Sequence, residues 1–155
     1  MDKEKTKVEL EEQNQEQAQD TTVDQGPDIA AIATQLKEKY PNIPDPDVFE
    51  QWKESFGKIF IVPLSDDEIY VFRRLTRLEW KTIQKEMQQV SQAGVNVDSM
   101  WIEERVVKQA LLYPSWDINF KNVSAAGTIS TLYKQITLVS NFLDDQTAMQ
   151  LIVEI

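Results

Sequence analysis

The chain has 155 residues, a formal net charge of −10, 41% apolar residues, four tryptophans, and neither cysteine nor histidine. That size suffices for one modest core and leaves too little for a second independent domain, while the missing Cys and His exclude disulfides, thiolate nucleophiles, metal sites built on either residue and the triads that need them. The acidic balance argues against nucleic acid, which is bound through clustered Lys and Arg, and no apolar run approaches the ~18 residues of a membrane span, so a soluble, cytoplasmic protein is expected.

Residues 1–28 carry nine acids against three lysines, a net −6 that leaves −4 for the rest of the chain. With only Val8 and Leu10 as a weak apolar anchor, this stretch cannot offset its ordering entropy by burial, and it is read as a disordered acidic tail. Its opening, MDKEKTKVELEEQNQEQ, has no apolar centre that would serve as a signal peptide.

Residues 29–57 are expected to form short helices. Ile29, Ile32, Leu36 and Tyr40 mark one helical face, and Pro41, Pro44 and Pro46 end it in an extended connector. Asp47 is placed to cap a second helix whose apolar side, Val48, Phe49, Trp52 and Phe56, buries three aromatics before Gly57 stops it.

Residues 58–155 read as a β-hairpin and a helical core that form a single domain with 29–57. Lys58-Ile-Phe-Ile-Val-Pro-Leu64 and Glu68-Ile-Tyr-Val-Phe-Arg-Arg74 are β-branched and aromatic runs joined by a Ser-Asp-Asp turn. Pro63 cannot donate to a ladder, so the first strand ends there or lies at an edge. Thr76 and Glu79 have capping-box spacing, with Leu75 and Trp80 at the positions of a hydrophobic staple. The helix they start continues through Ile83, Met87 and Val90 and ends at Gly94. Another is expected from Asp98 through Trp101, Ile102, Val106, Ala110 and Tyr113 to Pro114, with Glu103, Glu104 and Lys108 on its exposed face. After a loop with Trp116 and Phe120, Ser124 or Gly127 opens a central core helix through Ile129, Leu132, Tyr133, Ile136, Val139 and Leu143. Asp144 or Asp145 caps a last short helix, and Leu151-Ile-Val-Glu-Ile155 ends it or forms a strand. The fold class is therefore mainly α (α+β): a small helical domain with one β-hairpin.

Little in the chain suggests catalysis. No GxxxxGK[ST] or GxGxxG motif occurs, and four glycines give little material for a phosphate-cradling loop. The carboxylate groups Asp66-Asp67-Glu68, Glu103-Glu104 and Asp144-Asp145 suit a turn, a solvated helix face and a helix cap better than a cation site, and none has the EF-hand pattern. No catalytic residue, cofactor or metal is expected. The one local positive feature is Arg73, Arg74 and Arg77, which either dock an acidic partner segment or pair within the chain with Glu79 or Glu68.

The stretch Glu68-Ile-Tyr-Val-Phe-Arg-Arg-Leu-Thr-Arg-Leu-Glu-Trp80 resembles the strand-into-helix motif of tail-assembly and baseplate-hub chaperone proteins of long-tailed bacteriophages, which often read aromatic-Arg-x-Leu-Thr-Arg-x-Glu-aromatic. Glu103-Glu-Arg-Val-Val-Lys-Gln-Ala-Leu-Leu-Tyr-Pro114 is similar to their following helix, and Ala125-Ala-Gly-Thr-Ile-Ser-Thr-Leu132 with Ser140-Asn-Phe142 to their last one. The resemblance covers residues 58–143. Arg74 stands where family members often have Pro, and the tail and first helices lie outside the match. The resemblance implies a non-enzymatic protein that binds phage tail or baseplate proteins in the infected cell, and carries over Arg73, Leu75, Thr76, Arg77, Glu79 and Trp80 as the matching motif; with Arg74 added from the positive cluster, Arg73, Arg74, Leu75, Arg77 and Trp80 are the expected partner-binding residues. A permanent subunit of the baseplate or virion is the alternative, and an acidic inhibitor that mimics nucleic acid is less well matched because the acids cluster in the tail.

Overall fold

The computed structural model describes residues 26–155, so the expected acidic tail, apart from Gly26, Pro27 and Asp28, lies outside the described residues. Asp28 belongs to the first helix, α1 (Ile29–Lys39), which it caps by accepting a hydrogen bond from Ala31 N–H at 3.2 Å. The N-cap of helix α2 (Pro46–Phe56) lies two positions earlier than expected, on the other side of its proline. Asp45 is the N-cap, Pro46 takes the first helical position, where an N–H is dispensable, and Asp47 sits in the first turn beside the positive end of the helix dipole. Asp45 spends its carboxylate on Lys37, which ties α2 to α1. Of the three aromatics expected inside, only Phe49 is buried; Trp52 is half-buried with its ring edge-on to Phe49 at 5.4 Å, and Phe56 is 45% exposed.

The hairpin forms as expected from β1 (Ile59–Pro63) and β2 (Ile69–Arg73), paired in register from Ile59↔Arg73 to Pro63↔Ile69. The sheet has a third strand, formed by residues expected to end a helix. Helix α3 (Arg77–Gln92) is followed by α4 (Ser99–Ala110), which stops at Ala110, and β3 (Leu111–Tyr113) then pairs antiparallel with β2 on the side opposite β1. Two physical causes favour that ending. A residue before proline is disfavoured in the α region, and β2, buried along its whole length, would otherwise leave a row of N–H and C=O groups without partners.

Strand alternation makes the sheet the middle layer. Tyr70 and Phe72 face one cluster with Phe60, Val62, Leu75, Ile83, Val106, Leu132 and Ile136; Ile69 and Val71 face another with Ile59, Ile61, Ala33, Tyr40, Ile43 and Phe49. Helices α1 and α2 cover the second face. Helices α3, α4 and α6 (Thr128–Val139) build the first, with α4 packed on both of the others.

Caps set the helix starts. Thr76 forms the expected capping box with Glu79, and Asp98 and Asp144 accept from Trp101 and Thr147 N–H groups as expected. Asp117 caps a short helix, α5 (Ile118–Val123), where a loop is expected from the sequence. Gly127 opens α6, whose Leu132 and Ile136 are fully buried; Leu143 lies beyond its end. Glu103 and Glu104 are half-buried and not on a solvated face, because Glu103 accepts from Ser130 Oγ at 2.6 Å and Glu104 pairs with Lys121 at 2.8 Å. Residues 151–155, beyond α7 (Asp145–Gln150), are neither helix nor strand, and all are exposed. Seven helices and three strands among the described residues make a mainly helical fold with a small antiparallel sheet.

Candidate partner-binding site

The segment from Arg73 to Trp80 leaves the sheet at the end of β2 and turns into α3 through three residues. Its geometry centres on the Glu79 carboxylate. Arg73 donates to it through both guanidinium ends, Nη2 to Oε1 at 2.8 Å and Nη1 to Oε2 at 3.0 Å; Thr76 N–H donates at 2.9 Å and Gln109 Nε2 at 3.1 Å. Arg73 also donates to the carbonyls of Arg74 and Gln109, at 3.0 and 2.9 Å, and lies 4.7 Å over the Phe56 ring. Burial opposes ionisation of Glu79 more than any other single influence, yet the Arg73 guanidinium, the Thr76 N–H and the Gln109 amide together lower its pKa from 4.5 to about 2.

The pair is a structural clamp between the sheet, α3 and the end of α4. Arg73 is buried and has its donors committed within the chain, so of its two readings the intramolecular one describes the folded state. Leu75 is buried as well, and its N–H donates to Ser140 Oγ at 2.9 Å while that hydroxyl donates to Ile136 O at 2.6 Å. Trp80 is half-buried and meets Phe142 edge-on at 4.9 Å. Thus Arg73, Leu75 and Trp80, three of the five residues expected to bind a partner, face inward, because a guanidinium with four internal hydrogen bonds and a staple over a helix start are both interior features. The Ser140-Asn-Phe142 segment closes over the Leu75-Thr-Arg-Leu-Glu-Trp80 segment from some sixty residues away in sequence.

Arg74 and Arg77 are exposed, with Arg74 placed 5.9 Å over the Phe60 ring. Next to Arg77, Leu78 is 74% exposed at the lip of a cleft of about 330 Å³ between α3 and α4. Ile83 and Thr82 line it on the α3 side, and Arg105 and Lys108 on the α4 side. Glu86 and Arg105 approach only to 3.8 Å across it, an exposed pair of the kind that contributes ~0–1 kcal/mol and yields readily to a competing partner. The cleft offers an apolar lip beside charges of both signs, Arg105 and Lys108 with Glu79 and Glu86, which suits a protein segment carrying an apolar anchor and mixed polar groups.

Gln109, Ser140, Leu78 and Arg105 complete this region and were not singled out from sequence as functional. Leu78 did carry a signal, since it is apolar yet falls off the buried stripe of Trp80, Ile83 and Met87. Gln109 acts partly through its backbone carbonyl, which no side-chain type announces. Elsewhere, Asp66 pairs with Lys39 at 3.2 Å and Asp144 caps α7, and no group of three or more carboxylates among the described residues is placed to hold a metal ion. The fold and this surface define a mainly helical, three-layer domain with a cleft of mixed charge. No family model, curated protein or solved structure matches the chain.

Proposed function

We propose that this chain is a non-enzymatic assembly protein of a long-tailed bacteriophage, which binds a tail or baseplate-hub component in the cytoplasm of the infected host and holds it in an assembly-competent state. The observation that carries the reading is the exposed Leu78 at the lip of the α3/α4 cleft, within the segment on which the resemblance rests. The closure of Ser140 and Phe142 over Leu75 and Trp80 supports it too, since it joins two separate pieces of that resemblance into one unit. A chaperone of this kind covers an apolar surface until a stronger subunit contact replaces it, so its affinity is limited, and the acidic charge keeps the complex soluble.

Co-expression with individual tail and baseplate-hub proteins tests this directly. The chain is expected to raise the soluble yield of at least one of them, and Leu78→Asp combined with Lys108→Glu is expected to remove that effect without lowering the melting temperature of the chain itself. No gain for any component overturns the reading.

A permanent baseplate or virion subunit is favoured by one observation, the exposed apolar residues Leu151, Ile152, Val153 and Ile155, which a retained interface would cover. Quantitative mass spectrometry separates the two. Abundance in infected-cell lysate with absence from mature particles supports the chaperone, and a fixed small copy number in particles supports the subunit.

A further inference from the structure

Strand β1 is one edge of the sheet. Leu64 N–H bonds to Glu68 O at 2.9 Å, which fixes the alternation of the ladder: Val62 and Phe60 turn their backbone groups toward β2, and Ile59, Ile61 and Pro63 turn theirs away. A cleft of about 360 Å³ runs along that outward side. Residues 57–61 line it consecutively, as a strand does when seen edge-on, and Ile32, Phe49 and Lys53 from α1 and α2 form its other wall. The surroundings are cationic in an acidic chain, with Lys53 and Lys58 on the cleft and Arg74 over the Phe60 ring on the opposite sheet face.

The same molecule holds a segment with the complementary character. Leu151, Ile152, Val153 and Ile155 are 66–116% exposed. In extended form Leu151, Val153 and Ile155 share one side, and Ile152 and Glu154 the other. Aliphatic and β-branched residues at that spacing are what an added strand needs.

We propose that residues 151–155 of one copy add as a fourth strand to the edge of β1 in a second copy, an edge that pairs with no strand among the described residues. The outward N–H and C=O groups of Ile59 and Ile61 pair with the incoming backbone, and Leu151, Val153 and Ile155 enter the cleft against Ile32 and Phe49. Side-chain alternation then puts Glu154 on the Phe60 face, where Arg74 lies. The donor segment and the acceptor cleft are different patches, so the contact is heterologous. It does not involve the α3/α4 cleft, and Leu78→Asp leaves it intact.

Sedimentation of the full chain from about 5 to about 200 µM, the range appropriate to an interface below the ~1,200 Å² standard class, tests the proposal. The weight-average mass of the wild type is expected to rise at least about twofold across that range. Val153→Asp, which keeps the cleft, and Ile32→Asp, which keeps the donor segment, are each expected to stay monomeric, and an equimolar mixture of the two is expected to form a 1:1 dimer. Lys53→Glu weakens association through charge alone and serves in place of Ile32→Asp if that variant does not fold. A wild type that stays monomeric throughout, as it would if the segment folded back on its own chain, overturns the proposal. So does a Val153→Asp variant that still associates, or a mixture that does not.

Discussion

Glu79 accepts four hydrogen bonds on two oxygens, and half of them come from one guanidinium. Removing that guanidinium with Arg73→Ala leaves a partly buried carboxylate without its counter-charge, for which a loss of roughly 3 kcal/mol is expected in urea denaturation. The pH dependence follows from the same geometry. With a folded pKa of about 2 against an ordinary 4.5, the unfolded chain takes up the Glu79 proton first. The stability due to Glu79 is therefore complete above pH 4.5 and declines as the pH falls toward about 2. Denaturation midpoints measured through that interval are expected to fall less steeply for Glu79→Gln than for the wild type. The capping half of this arrangement was legible in the spacing of Thr76 and Glu79. The Arg73 half was one of two open readings, because an arginine beside a carboxylate in sequence suits an internal pair and an external one equally, and the carbonyl of Gln109 that helps decide between them lies thirty-six residues away.

Among the elements, those with a cap and a period were readable. Thr76, Asp98 and Gly94 mark helix ends where the structure has them, and the hairpin follows from two β-branched runs around a polar turn. What escaped is short or set by partners far away. Three residues of β3 show no period, and they become a strand because β2 presents an edge to them. The six residues of α5 depend on a single cap at Asp117. The junction between α2 and β1 depends on Gly57, with φ +77° and ψ −88°. A Cβ added there meets nothing within 4 Å, so any cost of Gly57→Ala comes from the backbone alone. About 1–3 kcal/mol is expected, because this combination of φ and ψ is sparsely populated by residues that carry a Cβ, seen in circular dichroism as a lowered melting temperature.

On the scale of the whole molecule, β2 belongs to both apolar clusters, since Val71 and Phe72 are both buried but face opposite layers. Neither layer can open without exposing one side of the same strand, so the described residues are expected to unfold as a unit. Tryptophan placement allows a check: Trp52 packs on one cluster, and Trp80, Trp101 and Trp116 on the other. Fluorescence of the wild type, and of a Trp52→Phe variant that reports only on the cluster under α3, α4 and α6, is expected in each case to give the same midpoint as circular dichroism of the same protein. Separate midpoints would mean that α1 and α2 form an independent layer. The composition bounded the core to this size, but the placement of the sheet between two helical layers was not legible, because β1 reads equally well as a strand covered on one side or on both.

Pro63 occupies the last outward-facing position of β1, where its missing N–H leaves the hairpin ladder undisturbed. On the solvent side the omission has a different effect. Only Ile59 and Ile61 offer donors along that edge, so any strand laid beside it is held over a short span and is not free to slide toward the hairpin turn. An apolar edge of this kind is ordinarily a seed for runaway sheet growth, and a single proline turns it into a berth for one brief visitor in one alignment.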